Sequence, residues 1–223
     1  MASPYRYEER ILKAASEHFA MHGFYGARVD NIAEEAKLNK RMVYEYNHTK
    51  EGLYLAVLSR VSRDVIALFD EQLPQVETVD DIKIMLSKTF SLFAESPNFV
   101  RLWAWEEMDE TIHGPRILET AAEIFNRLHQ RIDICVAQGK CHHFDPLARE
   151  HVLALFHGYL LSLSICLSRI QREQENSEAE NADSEQAAPQ NERLIQTTER
   201  LKAIRELETT ILNLVYQKLG LEV

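Results

Sequence analysis

Apolar positions along the chain recur at spacings of three and four, and alternating stretches are scarce. Ile11, Ala15 and Phe19 form one such stripe with Leu12 beside it, which predicts a first helix over about residues 5–22, stopped by Gly23. Val29, Ile32, Ala33 and Ala36 mark a short second helix over 29–36. Residues 37–39 leave room only for a turn. Asn39 is placed to cap a third helix over 40–46, and Leu38 to fill the angle between the two helices. Thr49 caps a fourth helix over 50–73, on which Leu53, Val57, Val61, Val65 and Phe69 repeat every four residues until Pro74 ends it. Thr78 and Asp81 have the spacing of a capping box and open a fifth helix to about residue 95. A sixth follows Pro97. A seventh is striped by Ile117, Ala121, Ile124, Leu128, Ile132 and Cys135 and ends near Gly139. Asp145-Pro146 opens an eighth helix to about residue 170, and a ninth spans about 192–219 before Gly220. The fold class is all-α with about nine helices: a three-helix module in residues 1–50 and a helical body in 51–223.

Two stretches stand outside this pattern. Residues 171–192 carry seven acidic side chains, one Arg and no large apolar residue, so a mobile, solvated acidic loop is expected there. Residues 153–167 are the most apolar run. With fifteen residues, a His and two Ser, the run is short for a bilayer span and reads as a buried helix. The first ten residues have no apolar signal core. Cys135, Cys141 and Cys166 are too few and too scattered for a disulfide framework. A cytoplasmic chain with no membrane partner is expected.

The net charge of −10 first argues against nucleic acid, but its distribution reverses that. Residues 1–56 hold eight Lys/Arg and eight Asp/Glu, so the excess lies elsewhere. Within 37–50 there are four cations and one acid. A phosphate feels that local patch more than a distant acidic body, because screening acts over about 10 Å.

A three-residue turn holds two helices at a steep angle, so the second projects from the body. Such a helix fits the major groove, about 12 Å wide. Lys40 and Arg41 at its start can reach base edges or phosphates. Tyr44 and Tyr46 combine ring packing with a hydroxyl donor. Lys50 lies in the first turn of the fourth helix, where free backbone N–H groups favour a phosphate. Arg28 precedes the second helix. The competing readings are solvated charges for Lys40, Arg41 and Lys50, and a core role for Tyr46, three residues after Val43. Glu45 repels phosphate unless it accepts from a cytosine amino group.

The 48-residue stretch ILKAASEHFAMHGFYGARVDNIAEEAKLNKRMVYEYNHTKEGLYLAVL resembles the N-terminal module of the TetR family of transcriptional regulators. Ile11, Ala14, Ala15, Phe19, Gly23, Phe24, Ile32, Ala33, Ala36, Tyr44, Lys50, Glu51 and Leu53 carry the resemblance. GKCHHFDP is similar to the lead-in such proteins have before their eighth helix. The resemblance implies base contacts from Lys40 and Arg41, phosphate contacts from Arg28, Tyr44 and Lys50, and either role for Tyr46. Four departures stand out. Lys37 replaces a turn Gly, and a left-handed Lys there carries about 1 kcal/mol of strain. Asn47 replaces an anchoring Phe, Arg28 a Ser/Thr cap, and Gly52 a better helix former.

The eighth helix is apolar on more than one face and the ninth carries a comparable stripe, so pairing with their copies would give an isologous homodimer through a four-helix bundle. Such a dimer would set two recognition helices about 34 Å apart on a near-palindromic operator of double-stranded DNA. Residues 1–50 are then the helix-turn-helix DNA-binding domain, and 51–223 the ligand-binding and dimerisation domain. Phe93, Trp103, Glu107, Phe125, His129 and Phe156 are the candidate pocket for a small-molecule effector. Glu106 and Glu107 beside two Trp would suit a lipophilic cation. Cys141-His142-His143 reads as a solvated loop rather than a metal site, since adjacent ligands point apart. No cofactor or metal is expected, and no phosphate loop or catalytic triad is identifiable. The expected function is a ligand-responsive DNA-binding regulator, a repressor. The alternatives are a helical adaptor and an enzyme on a helical scaffold.

Overall fold

The computed structural model describes residues 4–72, 76–109, 115–140, 146–183 and 190–221. Among these the elements are all helical: α1 (Pro4–Gly26), α2 (Val29–Glu35), α3 (Lys40–Asn47), α4 (Lys50–Gln72), α5 (Val79–Ala94), α6 (Pro97–Met108), α7 (Pro115–Ala137), α8 (Pro146–Asp183) and α9 (Gln190–Lys218). The all-α expectation is met. The chain divides into two compact units, Met1–Gln72 with Asn98–Asn126, and Leu73–Pro97 with Arg127–Val223.

In the first unit α1 packs on α2 and α4, and α3 on α2 and α4. Ile11, Ala15 and Phe19 of α1 are buried with Ile32, Ala33, Val43, Leu53 and Val57, the stripes their spacing marks. His18 Nε2 lies 2.8 Å from a Glu35 carboxylate oxygen, an ion pair between α1 and α2 when the imidazole is protonated. Gly23 does not stop α1. It has φ 66° and ψ −178°, a non-helical kink after which helical turns resume to Gly26. The glycine is required twice over. Its φ is left-handed, and a Cβ there would come within 3.0 Å of the Trp105 ring. Trp105 Nε1 donates to the Ala20 carbonyl at 3.1 Å, filling an acceptor near this kink.

The turn after α2 is a Schellman motif. Leu38 N–H donates to Ala33 O and Lys37 N–H to Glu34 O, each at 2.9 Å. Lys37 occupies the left-handed position, φ 53°, that glycine normally takes. The Arg10 guanidinium donates to the carbonyls of Ala36 and Lys37. That charge-assisted bracing from α1 offsets strain of about 1–2 kcal/mol.

In the second unit α9 packs against α5 and α8. The capping box at Thr78 is present: Asp81 N–H donates to Thr78 Oγ1, and Thr78 N–H to the Asp81 carboxylate. Phe90, Phe93, Phe156 and Tyr159 are buried together, with ring centroids 4.7–5.8 Å apart for the contacting pairs. The Tyr159 hydroxyl donates to Phe90 O at 3.0 Å, and Tyr216 OH to Lys83 O at 3.1 Å. Gly139 and Gly220, both with positive φ, end α7 and α9.

Two expectations are corrected here. Residues 171–183 continue α8 rather than forming a loop, and α9 begins at Gln190. The error was to equate missing apolar side chains with missing structure. Glu, Gln and Ala are strong helix formers, and extending an existing helix needs no nucleation. Cys135 is disulfide-bonded, where the sequence reading expected no disulfide framework, while Cys166 is free. Cys141-His142-His143 lies outside the described residues. Glu150–Ile170 has the length and composition of a membrane span, and a third of its most apolar window is buried. Val152, Phe156, Tyr159, Leu160 and Leu163 form that buried face.

Candidate nucleic-acid interface

The geometry of the site begins at Asn39. Its backbone is extended (φ −86°, ψ 153°), and its side-chain oxygen accepts from Met42 N–H at 2.9 Å. That cap starts α3 immediately after the Schellman turn and fixes its direction relative to α2. Val43 is the buried side chain of α3, and the faces around it are half-buried or exposed. A helix of eight residues with one buried position is held at its root and exposes Lys40, Arg41 and Glu45.

Lys40 and Arg41 lie on the outward part. Arg41 is 88% exposed, and its Nε donates to Glu45 Oε1 at 3.0 Å, one turn on. Both terminal NH2 groups of the guanidinium fork lie beyond that contact. Lys40 is 48% exposed, and its ammonium stands 2.9 Å from each carboxylate oxygen of Asp30. The Asp30 hydrogen bond raises the ammonium's pKa above its ordinary 10.5. Lys50, half-buried at the start of α4, lies 5.0 Å above the centre of the Phe24 ring, and burial lowers its pKa. The ammonium also donates to Tyr25 O at 3.4 Å, which leaves two of its three N–H donors for another anion. Arg28 is exposed at the N-cap of α2 and makes no capping hydrogen bond. Tyr44 and Tyr46 are both half-buried.

These positions place four cations, from residues 28, 40, 41 and 50, on α3 and on the starts of the two helices flanking it. The first turn of α2 also carries Asp30, which sequence reading passed over. An acid there reads simply as complementing the helix dipole, and its partner lies ten residues away across the turn.

The candidate pocket residues are spread over both units. Trp103 and Phe125 are buried in the first. Phe93, His129 and Phe156 are buried in the second, where the Phe93 and Phe156 rings are 5.1 Å apart. Glu107 is exposed on α6. The buried acid of the pair is Glu106, 1% exposed, which accepts from Tyr54 OH at 2.8 Å.

Residues 11–57 match the family model described as bacterial regulatory proteins, tetR family. The chain is 35% identical over 100 residues to the HTH-type transcriptional repressor SCO4008 of Streptomyces coelicolor, a match covering 45% of this chain and 49% of that protein. It is 27% identical over 169 residues to the HTH-type transcriptional repressor NicS of Pseudomonas putida, covering 72% and 74%. The match thus spans about half the length of the first of these relatives. Among solved structures, the hemolysin II transcriptional regulator HlyIIR is 26% identical with a TM-score of 0.55, covering 71% of this chain and 87% of that one.

Proposed function

Because the chain belongs to the tetR family of bacterial regulatory proteins, we propose that it is a DNA-binding transcriptional regulator, a repressor acting as a homodimer on a palindromic operator. The observation that carries this reading is α3. It is rooted by Val43 and the Asn39 cap, and exposes Lys40 and Arg41 at its start. A helix presented in this way fits the major groove, with Arg28, Tyr44 and Lys50 supplying phosphate contacts. Tyr46 braces α3 or adds a further contact. A cytoplasmic location goes with this role. Two repressors among the relatives favour repression over an adaptor or enzymatic role.

Salt is the discriminating variable. Duplexes recovered from random-sequence DNA should bind with an affinity that falls steeply as salt rises. Lys50→Gln should flatten the log–log slope by about 0.9, the share of one phosphate contact. Affinity indifferent to salt between 50 and 200 mM, in about the range where phosphate contacts dominate, would rule the reading out.

The dimer is proposed to form through α8 and α9. Leu161 and Ile165 of α8 and Leu214 of α9 are exposed apolar side chains, and Ile165 is 57% exposed. Water-exposed aliphatic groups on two long helices of one unit suit a self-complementary face. Leu161→Glu/Ile165→Glu should convert a dimer to monomer in sedimentation and abolish tight operator binding. Dimers that persist in that variant would place the interface elsewhere.

A small-molecule effector is proposed to act at the buried rings of the second unit, Phe93, His129 and Phe156. It would shift the population between two settings of α4, on which Leu53, Val57, Val65 and Phe69 are buried. A ligand that binds these rings tightly yet leaves operator affinity unchanged would exclude that mechanism.

A further inference from the structure

Given the DNA-binding role proposed above, we propose that Asp30 is a specificity-determining, positioning residue: by holding the Lys40 ammonium it suppresses binding to arbitrary phosphate backbone and aims that ammonium at a base edge. The pair differs in kind from its neighbour. Arg41–Glu45 is a local pair four residues apart on one helix, which any solvated helix face can form. Asp30 and Lys40 sit on different helices, on opposite sides of the Asn39 cap and the turn bearing left-handed Lys37. Their meeting depends on the angle between α2 and α3, which fixes where the ammonium stands.

Two physical consequences follow. An unrestrained lysine at the start of α3 would engage whichever phosphate came nearest, regardless of sequence, since phosphate contacts carry affinity without base information. Paired with Asp30, 68% exposed and itself repelled by phosphate, Lys40 contributes little to that indiscriminate attraction. A primary ammonium has three N–H donors. With the carboxylate on one side, a remaining donor can reach guanine O6 or N7 in the groove. The Asp30 contact therefore lowers affinity for random DNA more than affinity for the operator.

The test compares the duplex selected by the wild-type protein with a random-sequence duplex of equal length, over a range of salt concentrations. Asp30→Asn should tighten random-duplex binding about five- to ten-fold at low salt. Its random-duplex slope should steepen by about 0.9, as Lys40 gains a phosphate. Operator affinity should stay within about two-fold, so the specificity ratio should fall. In a Lys40→Gln background the same Asp30 change should leave the ratio unaltered, because only the lost phosphate repulsion remains and it tightens both duplexes alike. Asp30→Ser gives an independent second variant, and melting curves establish that each protein is folded. An unchanged ratio in both Asp30 variants, or an equal change with and without Lys40, would overturn the proposal. Wild-type protein showing no salt-dependent duplex binding would instead sink the DNA-binding reading itself.

Discussion

Arg41→Ala is expected to weaken binding to the selected operator by about 5- to 150-fold, equivalent to about 1–3 kcal/mol, and to erase the preference for guanine at one position in each half-site. The Arg41 side chain is 88% exposed and, among the described residues, tethered only through Nε to Glu45, so its two NH2 groups can meet guanine O6 and N7 together. Glu45 restricts the fork's rotation, which lowers the entropy lost on docking. Arg41→Lys separates charge from shape. It keeps one positive charge, so the salt slope should stay near the wild-type value, but a point ammonium lacks the planar fork and base discrimination should still fall. Titration against operators substituted one base pair at a time reads both quantities. If Arg41→Ala weakens all sequences uniformly, Arg41 contacts phosphate only and the base-reading assignment moves to Lys40.

Tyr54→Ala should reduce stability by about 3–5 kcal/mol, the range for deleting a buried aromatic side chain. Tyr54 is fully buried on α4, with its ring 4.9 Å from Phe19 and 5.2 Å from Phe24. Its hydroxyl donates to the buried carboxylate of Glu106 on α6. Burial, then Glu106, push the phenol far above its ordinary pKa of 10.0, so it remains a donor at any working pH. Tyr54→Phe keeps the ring and removes only that donor, at a cost of about 1–3 kcal/mol. Phe24 also carries Lys50 on its face, so loss of the Tyr54 ring should loosen a proposed phosphate contact and flatten the salt slope as well. Urea midpoints for Tyr54→Phe, Glu106→Gln and the double variant complete a double-mutant cycle. A Tyr54→Ala loss below about 1 kcal/mol would show that the site collapses around the gap and that the ring contacts carry little.

Glu106 and Glu107 show where reading from sequence stops. They follow Trp105 in succession, and periodicity cannot say which faces inward when apolar residues surround the helix. Packing decided it. Glu106 turns toward Tyr54 of α4, and Glu107 toward solvent. Gly23 is a similar case. A glycine after an apolar stripe signals a helix end, and a left-handed residue was indeed needed there. Trp105 packed against it, a contact 82 residues distant in sequence, accompanies the resumed helical turns that local signals did not suggest. Residues 171–183 failed for the opposite reason, since their own helix propensity outweighed the lack of anything to bury.

By itself the sequence determined the order of the helices, the caps at Asn39 and Thr78 and the cationic start of α3. Each of these follows from interactions spanning no more than about five residues, which a pattern can encode directly. Only the tertiary structure decided that Lys40 rests on Asp30, that Lys50 rests on Phe24 and that Tyr54 reaches Glu106. Those partners are 10 to 52 residues apart. Their meeting is set by the angles at which helices cross, and periodicity along one helix carries no information about its orientation to another.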